Sequence, residues 1–250
     1  LQGDGDFRSR EVKKLRDESD IIITNPPFSM FREFLAWIVE ADKQFSIIGN
    51  MNAITYKDVF PLIKENRIWL GPSISSGDRE FQVPDDYPLE AAGWRVDDQG
   101  RKFLRIKGVR WFTNLDHGRR HQPLPLMTMS DNLKFSKHKE IKGKQFYDQY
   151  DNYDAIEVPY VDATPSDYDG VMGVPISILD KYNPDQFEIV GNGQTMADEL
   201  GIKPVGQKFV DDYYAQGNKG QIHAKWNNLV YHVGEKVFVP YQRILIKHRR

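Results

Sequence analysis

Three consecutive isoleucines, Ile21, Ile22 and Ile23, run into Thr24 and stop against Asn25-Pro26-Pro27-Phe28. No other feature constrains the fold of this chain so tightly. β-branched side chains favour extended backbone. Two prolines then hold φ near about −65° and offer no N–H to continue a ladder. A short apolar run with charge before it and prolines after it reads as a strand buried on both faces, as in a parallel sheet. Upstream, residues 9–18 set Val12 and Leu15 among charges, which predicts a weakly amphipathic helix. Downstream, Phe31, Phe34, Leu35, Ile38 and Val39 recur at helical spacing, and Ser29 is placed to cap the helix they define. Residues 45–48 read as a second buried strand, 56–65 as a helix and 67–70 as a third strand. Strand, helix, strand, helix, strand predicts a parallel α/β sheet with right-handed crossovers.

The pattern changes after Gly71. Residues 72–100 are rich in Gly, Pro, Asp and Ser and read as loop or an irregular insertion. Residues 103–112 alternate as one strand would. Residues 116–170 have little helical periodicity, 175–180 suit a short helix, and 185–191 a strand. Near the end, 228–233, a turn at Gly234-Glu235, 236–239 and 243–247 suggest a β-hairpin region. A boundary near residue 115 divides the chain into 1–115 and 116–250.

Composition excludes several classes. With 40% hydrophobic residues and a net charge of only −2, global disorder is ruled out. No stretch approaches the ~20 apolar residues of a membrane span. The absence of cysteine removes disulfides, thiolate metal sites and thiol nucleophiles, and fits a reducing, cytoplasmic setting. The six histidines have no metal-ligand spacing, so no metal is expected. The charge is unevenly spread: residues 1–100 carry −6, residues 101–144 carry +9, and residues 145–250 carry −5. A basic block inside an acidic chain is the footprint of polyanion binding, although a solvated surface would look the same.

The diproline corner carries the chemistry. At the carboxyl end of a strand, where open α/β sheets place their sites, the Asn25 side chain and the carbonyls of Asn25 and Pro26 are acceptors free of any ladder. Phe28 adds an aromatic face. Together they suit a planar group whose exocyclic NH₂ must be held by both hydrogens.

Asn25-Pro26-Pro27-Phe28 after a hydrophobic strand resembles the catalytic motif of amino-group methyltransferases that use S-adenosylmethionine. The likeness sharpens with Ser-Met-Phe-Arg-Glu-Phe after the motif, Phe-Ser-Ile-Ile-Gly-Asn at 45–50, and the long run from Asp169 to Gly191. These segments are collinear with the EcoRI-type adenine-specific DNA modification methyltransferases. The resemblance implies a partial Rossmann-like methyltransferase sheet in 1–115, followed by a mixed, β-rich target-recognition region in 116–250. It implies N6-methylation of a flipped adenine in double-stranded DNA, with Asn25 and Pro26 accepting from the target amine, Pro27 holding the corner and Phe28 stacking on the base. By position, Asp6 and Phe7 match the pair that contacts the cofactor adenine. A glycine-rich cofactor loop should precede that pair by tens of residues, so an N-terminal cofactor-binding segment is expected beyond this chain. Gly191-Asn192-Gly193 is the other candidate, but a lone Gly-x-Gly without the usual acidic residue is weak.

For DNA, the expected contacts are Arg119 and Arg120 and the cluster Lys134, Lys137, Lys139 and Lys142, with Phe135, Phe146 and Tyr147 interleaved. Asn50, Asn52 and Tyr56 follow a strand end and either border the pocket or serve the loop. Phe31 and Phe34, and Trp69, Trp94 and Trp111, read as packing residues. The motif also serves RNA and protein-amide methyltransferases, and a non-catalytic DNA-binding module would carry the same basic block. Nothing in the chain specifies a recognition sequence or a restriction endonuclease partner.

Overall fold

The computed structural model describes residues 3–72, 79–88 and 93–249. The chain divides into two compact units, Leu1–His117 and Gly118–Arg250.

In the first unit, helix α1 (Arg10–Glu18) starts where the Ser9 hydroxyl accepts from the Val12 N–H. Strand β1 (Ile21–Thr24) follows, and the diproline corner delivers the chain into a 3₁₀ turn over Phe28–Met30. Helix α2 (Phe31–Glu40) begins only after that turn, so Ser29 sits inside the turn and does not cap it. The carbonyls of Pro27 and Phe28 accept from Met30 and Phe31 instead. As its spacing predicts, α2 buries Phe31, Phe34, Leu35 and Ile38; Trp37 is buried as well, and Val39 only partly. Strand β2 (Gln44–Asn50) returns parallel to β1, with Ile21 opposite Gln44. Gly49 on β2 lets α2 approach closely, because a Cβ there would come within 2.4 Å of the Phe31 ring.

Beyond β2 the expected parallel sheet is not what forms. Helix α3 (Phe60–Lys64) is shorter than 56–65, and strand β3 (Trp69–Leu70) is two residues long. Strands β4 (Arg79–Val83), β5 (Trp94–Val96), β6 (Lys102–Ile106) and β7 (Val109–Thr113) complete the unit. The main sheet has the order β1-β2-β7-β3, and β7 runs antiparallel to both β2 and β3. β1 is therefore an edge strand, and Ile21 and Ile23 are exposed rather than buried on a second face. Residues 103–112 are two strands, broken at Lys107-Gly108, where Gly108 takes a φ of +70° that a side chain resists. The turn-rich 72–100 segment supplies β4 and β5 to a separate antiparallel sheet of order β4-β6-β5. Its residues 73–78 and 89–92 lie outside the described residues.

In the second unit, α4 (Met129–Phe135) is capped by the Thr128 hydroxyl. Strands β8 (Ile156–Glu157), β9 (Met172–Pro175) and β10 (Phe187–Asn192), helix α5 (Gln207–Ala215), and strands β11 (Tyr231–Val233), β12 (Lys236–Phe238) and β13 (Arg243–His248) follow. Residues 176–180 form a 3₁₀ turn after β9. The hairpin is β11–β12 alone. β13 leaves it to lie between β10 and β9 in a sheet of order β10-β13-β9-β8. The fold is thus mixed α/β, built from several small sheets. Among the described residues, no helix is long and apolar enough to cross a membrane.

Candidate active site

Pro26 is buried and seats the corner, while Asn25, Pro27 and Phe28 stay exposed. Asn25, Pro26, Pro27 and Phe28 form one wall of a pocket of about 540 Å³. Ile48 of β2 and Val109 of β7 also line it, and Arg79, Phe81 and Ile106 come from the β4–β6 pair. The volume lies within the ~300–1,000 Å³ of small-molecule sites. Among the described residues, neither the Asn25 side chain nor the Pro26 carbonyl is engaged in a hydrogen bond. The Phe28 ring is 39% exposed. A rigid corner thus presents unspent acceptors beside an open aromatic face. Among the described residues, no carboxylate or imidazole lines this pocket.

Asp6 and Phe7 are not among the lining residues. Both Asp6 oxygens accept from the Arg8 guanidinium, and Oδ1 also accepts the Arg8 N–H at 2.8 Å. These bonds draw the Asp6 carboxyl down to about 2. The Phe7 ring meets Phe34 and Trp37 edge-on, at 5.2 and 5.5 Å between centroids. An ionised carboxylate beside a half-buried ring fits the adenine end of a nucleoside, and nothing among these contacts holds its other end. Asn50 is spent on structure: its Oδ1 accepts from the Asn52 N–H and its Nδ2 donates to the Lys107 carbonyl. Asn52 and Tyr56 do not line the pocket.

The sequence missed Phe81, Arg79, Ile106 and Val109. A signal was present, since Arg-Glu-Phe-Gln-Val at 79–83 alternates as a strand would, but it sits in a segment dominated by turn residues. Trp94, expected to pack, is 49% exposed.

In the second unit the basic residues separate. Lys134 and Lys142, with Lys144, line a groove of about 740 Å³ beside α4. Phe135 and Phe146 flank this segment and are both exposed, whereas Tyr147 is buried with its hydroxyl donating to the Ala163 carbonyl. Lys134, Lys139 and Lys142 make no ion pair among the described residues. Lys137 pairs with Asp162 at 2.8 Å. Arg119 and Arg120 lie apart, in a 3₁₀ turn, and Arg120 is only 7% exposed, so it does not belong to the open basic surface. The Gly191-Asn192-Gly193 segment is closely packed: a Cβ on Gly193 would meet Leu229 at 2.5 Å. The Asn192 Oδ1 accepts from the N–H groups of Gln194 and Thr195. Among the described residues, no cluster of His, Asp or Glu is arranged to hold a metal.

Comparison with known proteins places these features in a wider group. The family described as "Adenine-specific methyltransferase EcoRI" matches residues 1–249. The Type II methyltransferase M.EcoRI of Escherichia coli is 48% identical over 188 residues, covering 75% of this chain and 55% of its own length. M.MpnI of Mycoplasma pneumoniae is 38% identical over 193 residues, covering 76% and 57%. M.MgeORF184P of Mycoplasma genitalium is 37% identical over 192 residues, covering 76% and 57%. The chain spans about half the length of these curated relatives. No solved structure matches it significantly.

Proposed function

The chain belongs to the adenine-specific methyltransferase EcoRI family, and on that premise we propose that it carries the methyl-acceptor site of a DNA adenine N6-methyltransferase. The observation that supports this reading is the unspent Asn25 carboxamide and Pro26 carbonyl beside the exposed Phe28 ring. An adenine turned out of the duplex stacks on Phe28, and its N6 hydrogens point at the two acceptors. The N6 lone pair is delocalised into the ring. Two bonds drawn from its hydrogens bias the nitrogen toward tetrahedral geometry and free the lone pair. The same acceptors stabilise the positive charge that nitrogen gains, a preorganised electrostatic effect. Pro27 keeps the corner stiff, so little reorganisation is needed. The surplus proton on the methylated amine passes to solvent water.

S-adenosylmethionine supplies a methyl group activated by its sulfonium. Within this chain, Asp6 would accept from its adenine amino group and Phe7 would pack on the ring. Residues 1–115 hold the acceptor part of a Rossmann-like catalytic domain, and 116–250 form the target-recognition region. There, Lys134, Lys139 and Lys142 meet phosphates, releasing counterions and making binding salt-dependent. Exposed Phe135 and Phe146 offer faces to unstacked bases. Lys137 and Arg119 add to the field, and Arg120 supports the turn that presents Arg119. A DNA substrate fits a cytoplasmic location. The deciding experiment incubates the full-length protein with tritiated S-adenosylmethionine and duplex DNA, RNA and protein in parallel, then digests the acceptors. N6-methyldeoxyadenosine supports the reading. Label only in RNA or protein, or none at all, overturns it.

A further inference from the structure

The pocket has a second wall that no motif announces. β4 pairs with β6 so that Arg79 faces Ile106, Phe81 faces Leu104 and Val83 faces Lys102. β5 adds Trp94 opposite Leu104 on the other side of β6. Residues directly opposite in neighbouring strands share a face. Phe81, Leu104 and Trp94 therefore form one row across all three strands, and Arg79 with Ile106 forms the next row. The two sheet faces differ in what they offer. On one, Arg95 pairs with Glu80 at 2.6 Å and its guanidinium lies 4.3 Å over the Phe103 ring, so charge and ring are already matched. On the other, Phe81 is 47% exposed and Trp94 49%. That bare face joins the pocket, because Arg79, Phe81 and Ile106 line it together with Asn25 and Phe28.

We infer that Phe81 is a second stacking residue of the acceptor site, so that the extrahelical base is held between the Phe28 and Phe81 rings. This rests on the methyltransferase reading above. A base extruded from DNA loses both stacking neighbours, and one ring replaces only one of them. A flat aromatic partner on the far wall restores the other. It also fixes the base plane, which aims the N6 hydrogens at Asn25 and Pro26. The occupant is a nucleobase because the exposed ring lies in the same lining as unspent carbonyl-type acceptors, an arrangement an apolar protein segment would leave unsatisfied.

The test compares full-length wild type with Phe81→Ala, Phe81→Leu, Phe81→Tyr and Gln82→Ala, after mapping the methylated site with wild type. Gln82 is on the same strand but faces away. Removing one stacking partner should lower kcat/KM for methyl transfer by roughly 10- to 100-fold in Phe81→Ala. Phe81→Leu, which keeps apolar bulk without a ring, should fall with it even if Phe81→Ala does not fold. Phe81→Tyr should recover most of the activity, and Gln82→Ala should match wild type. 2-Aminopurine at the target position should fluoresce more strongly when bound to Phe81→Leu than to wild type, because one quenching face is gone. Unchanged kcat/KM and emission in Phe81→Leu, with wild type methylating adenine normally, overturn the second wall and leave the acceptor site standing. A wild type that never methylates adenine in DNA removes both.

Discussion

The turn after β1 and the turn after β10 look alike on paper and differ in what they spend. Each ends a β-rich strand on an asparagine flanked by residues that bend the chain. After β10, Asn192 is fully buried and its Oδ1 holds two N–H groups of its own turn. The glycines beside it exist to let Leu200 and Leu229 close in. The next strand, β13, carries Arg243, whose guanidinium grips Glu157 at 2.6 Å while the Tyr150 hydroxyl donates to the same carboxylate. Those bonds serve the fold, although among the described residues the buried Asn192 Nδ2 has no hydrogen-bond partner. After β1, the Asn25 side chain is exposed and unspent, and its neighbouring ring lies open. The lesson is that an asparagine at a strand end is available to a ligand when the surrounding turn does not consume it. Prolines make that possible, since a Pro-Pro corner holds its shape without side-chain help.

The comparison is most easily broken at its structural pole. Glu157 is buried with a cation and a phenol on it. Glu157→Ala should cost about 3–5 kcal/mol, the penalty of leaving a buried charge without its partner. Urea denaturation reads this directly. A loss under 1 kcal/mol would mean Arg243 finds another partner and the region is not an anchor of the fold. At the functional pole, Asn25→Ala should cut methyl transfer by about 10²–10³-fold, the usual effect of removing one preorganised polar group. Its unfolding midpoint and DNA affinity should match wild type. A variant that instead unfolds early would place Asn25 with Asn192, among structural residues.

Glycine substitutions sharpen the contrast at smaller cost. Gly193→Ala pushes a methyl against Leu229 and Gly49→Ala against the Phe31 ring. Overpacking of this kind costs about 1–3 kcal/mol. Both should lower thermal stability, and neither should change kcat/KM measured well below the unfolding transition. A selective loss of cofactor affinity in Gly193→Ala would restore the Gly-x-Gly segment as a cofactor loop.

What was legible in the sequence was local. The isoleucine run, the diproline stop, the face of α2, β2, β10 and the Gly234 turn each rest on neighbours a few residues apart. What escaped depends on distant partners. β7 pairs with β2 across some sixty residues, and antiparallel insertion there turned an expected parallel sheet into a mixed one. The alternation of 103–112 ran through Lys107-Gly108 unbroken because a glycine turn adds no apolar interruption. β4 hid in turn-rich composition, and with it Phe81, half of the pocket's aromatic lining. Arg120 looked like surface charge, but exposure is decided by what folds over a residue, not by its type. The four-residue corner was legible because its chemistry and its geometry come from the same residues.

Asp6 stands between the two poles and gives the smallest effect. Its carboxylate is partly spent, on Arg8, yet it remains partly exposed. Arg8 draws the Asp6 carboxyl down to about 2. A carboxyl depressed on folding contributes stability above its ordinary range, and that contribution is lost only as pH falls through the folded value. Asp6 therefore stays charged throughout pH 4–8, and any role in holding an adenine amino group should be flat across that window. Arg8→Ala should return the titration toward ~3.9, the value of an unperturbed aspartate, as read by carbon NMR of the carboxyl. Because the pair is exposed and screened by solvent, Arg8→Ala and Asp6→Asn should each lower the unfolding midpoint at pH 7 only slightly. If Asp6 is a cofactor contact, Asp6→Asn should weaken S-adenosylmethionine binding by calorimetry while Arg8→Ala, which frees the carboxylate, should leave it intact or tighten it. Equal losses in both variants would mean the Asp6–Arg8 pair acts as a structural clasp, and Asp6 would join Asn192 on the structural side.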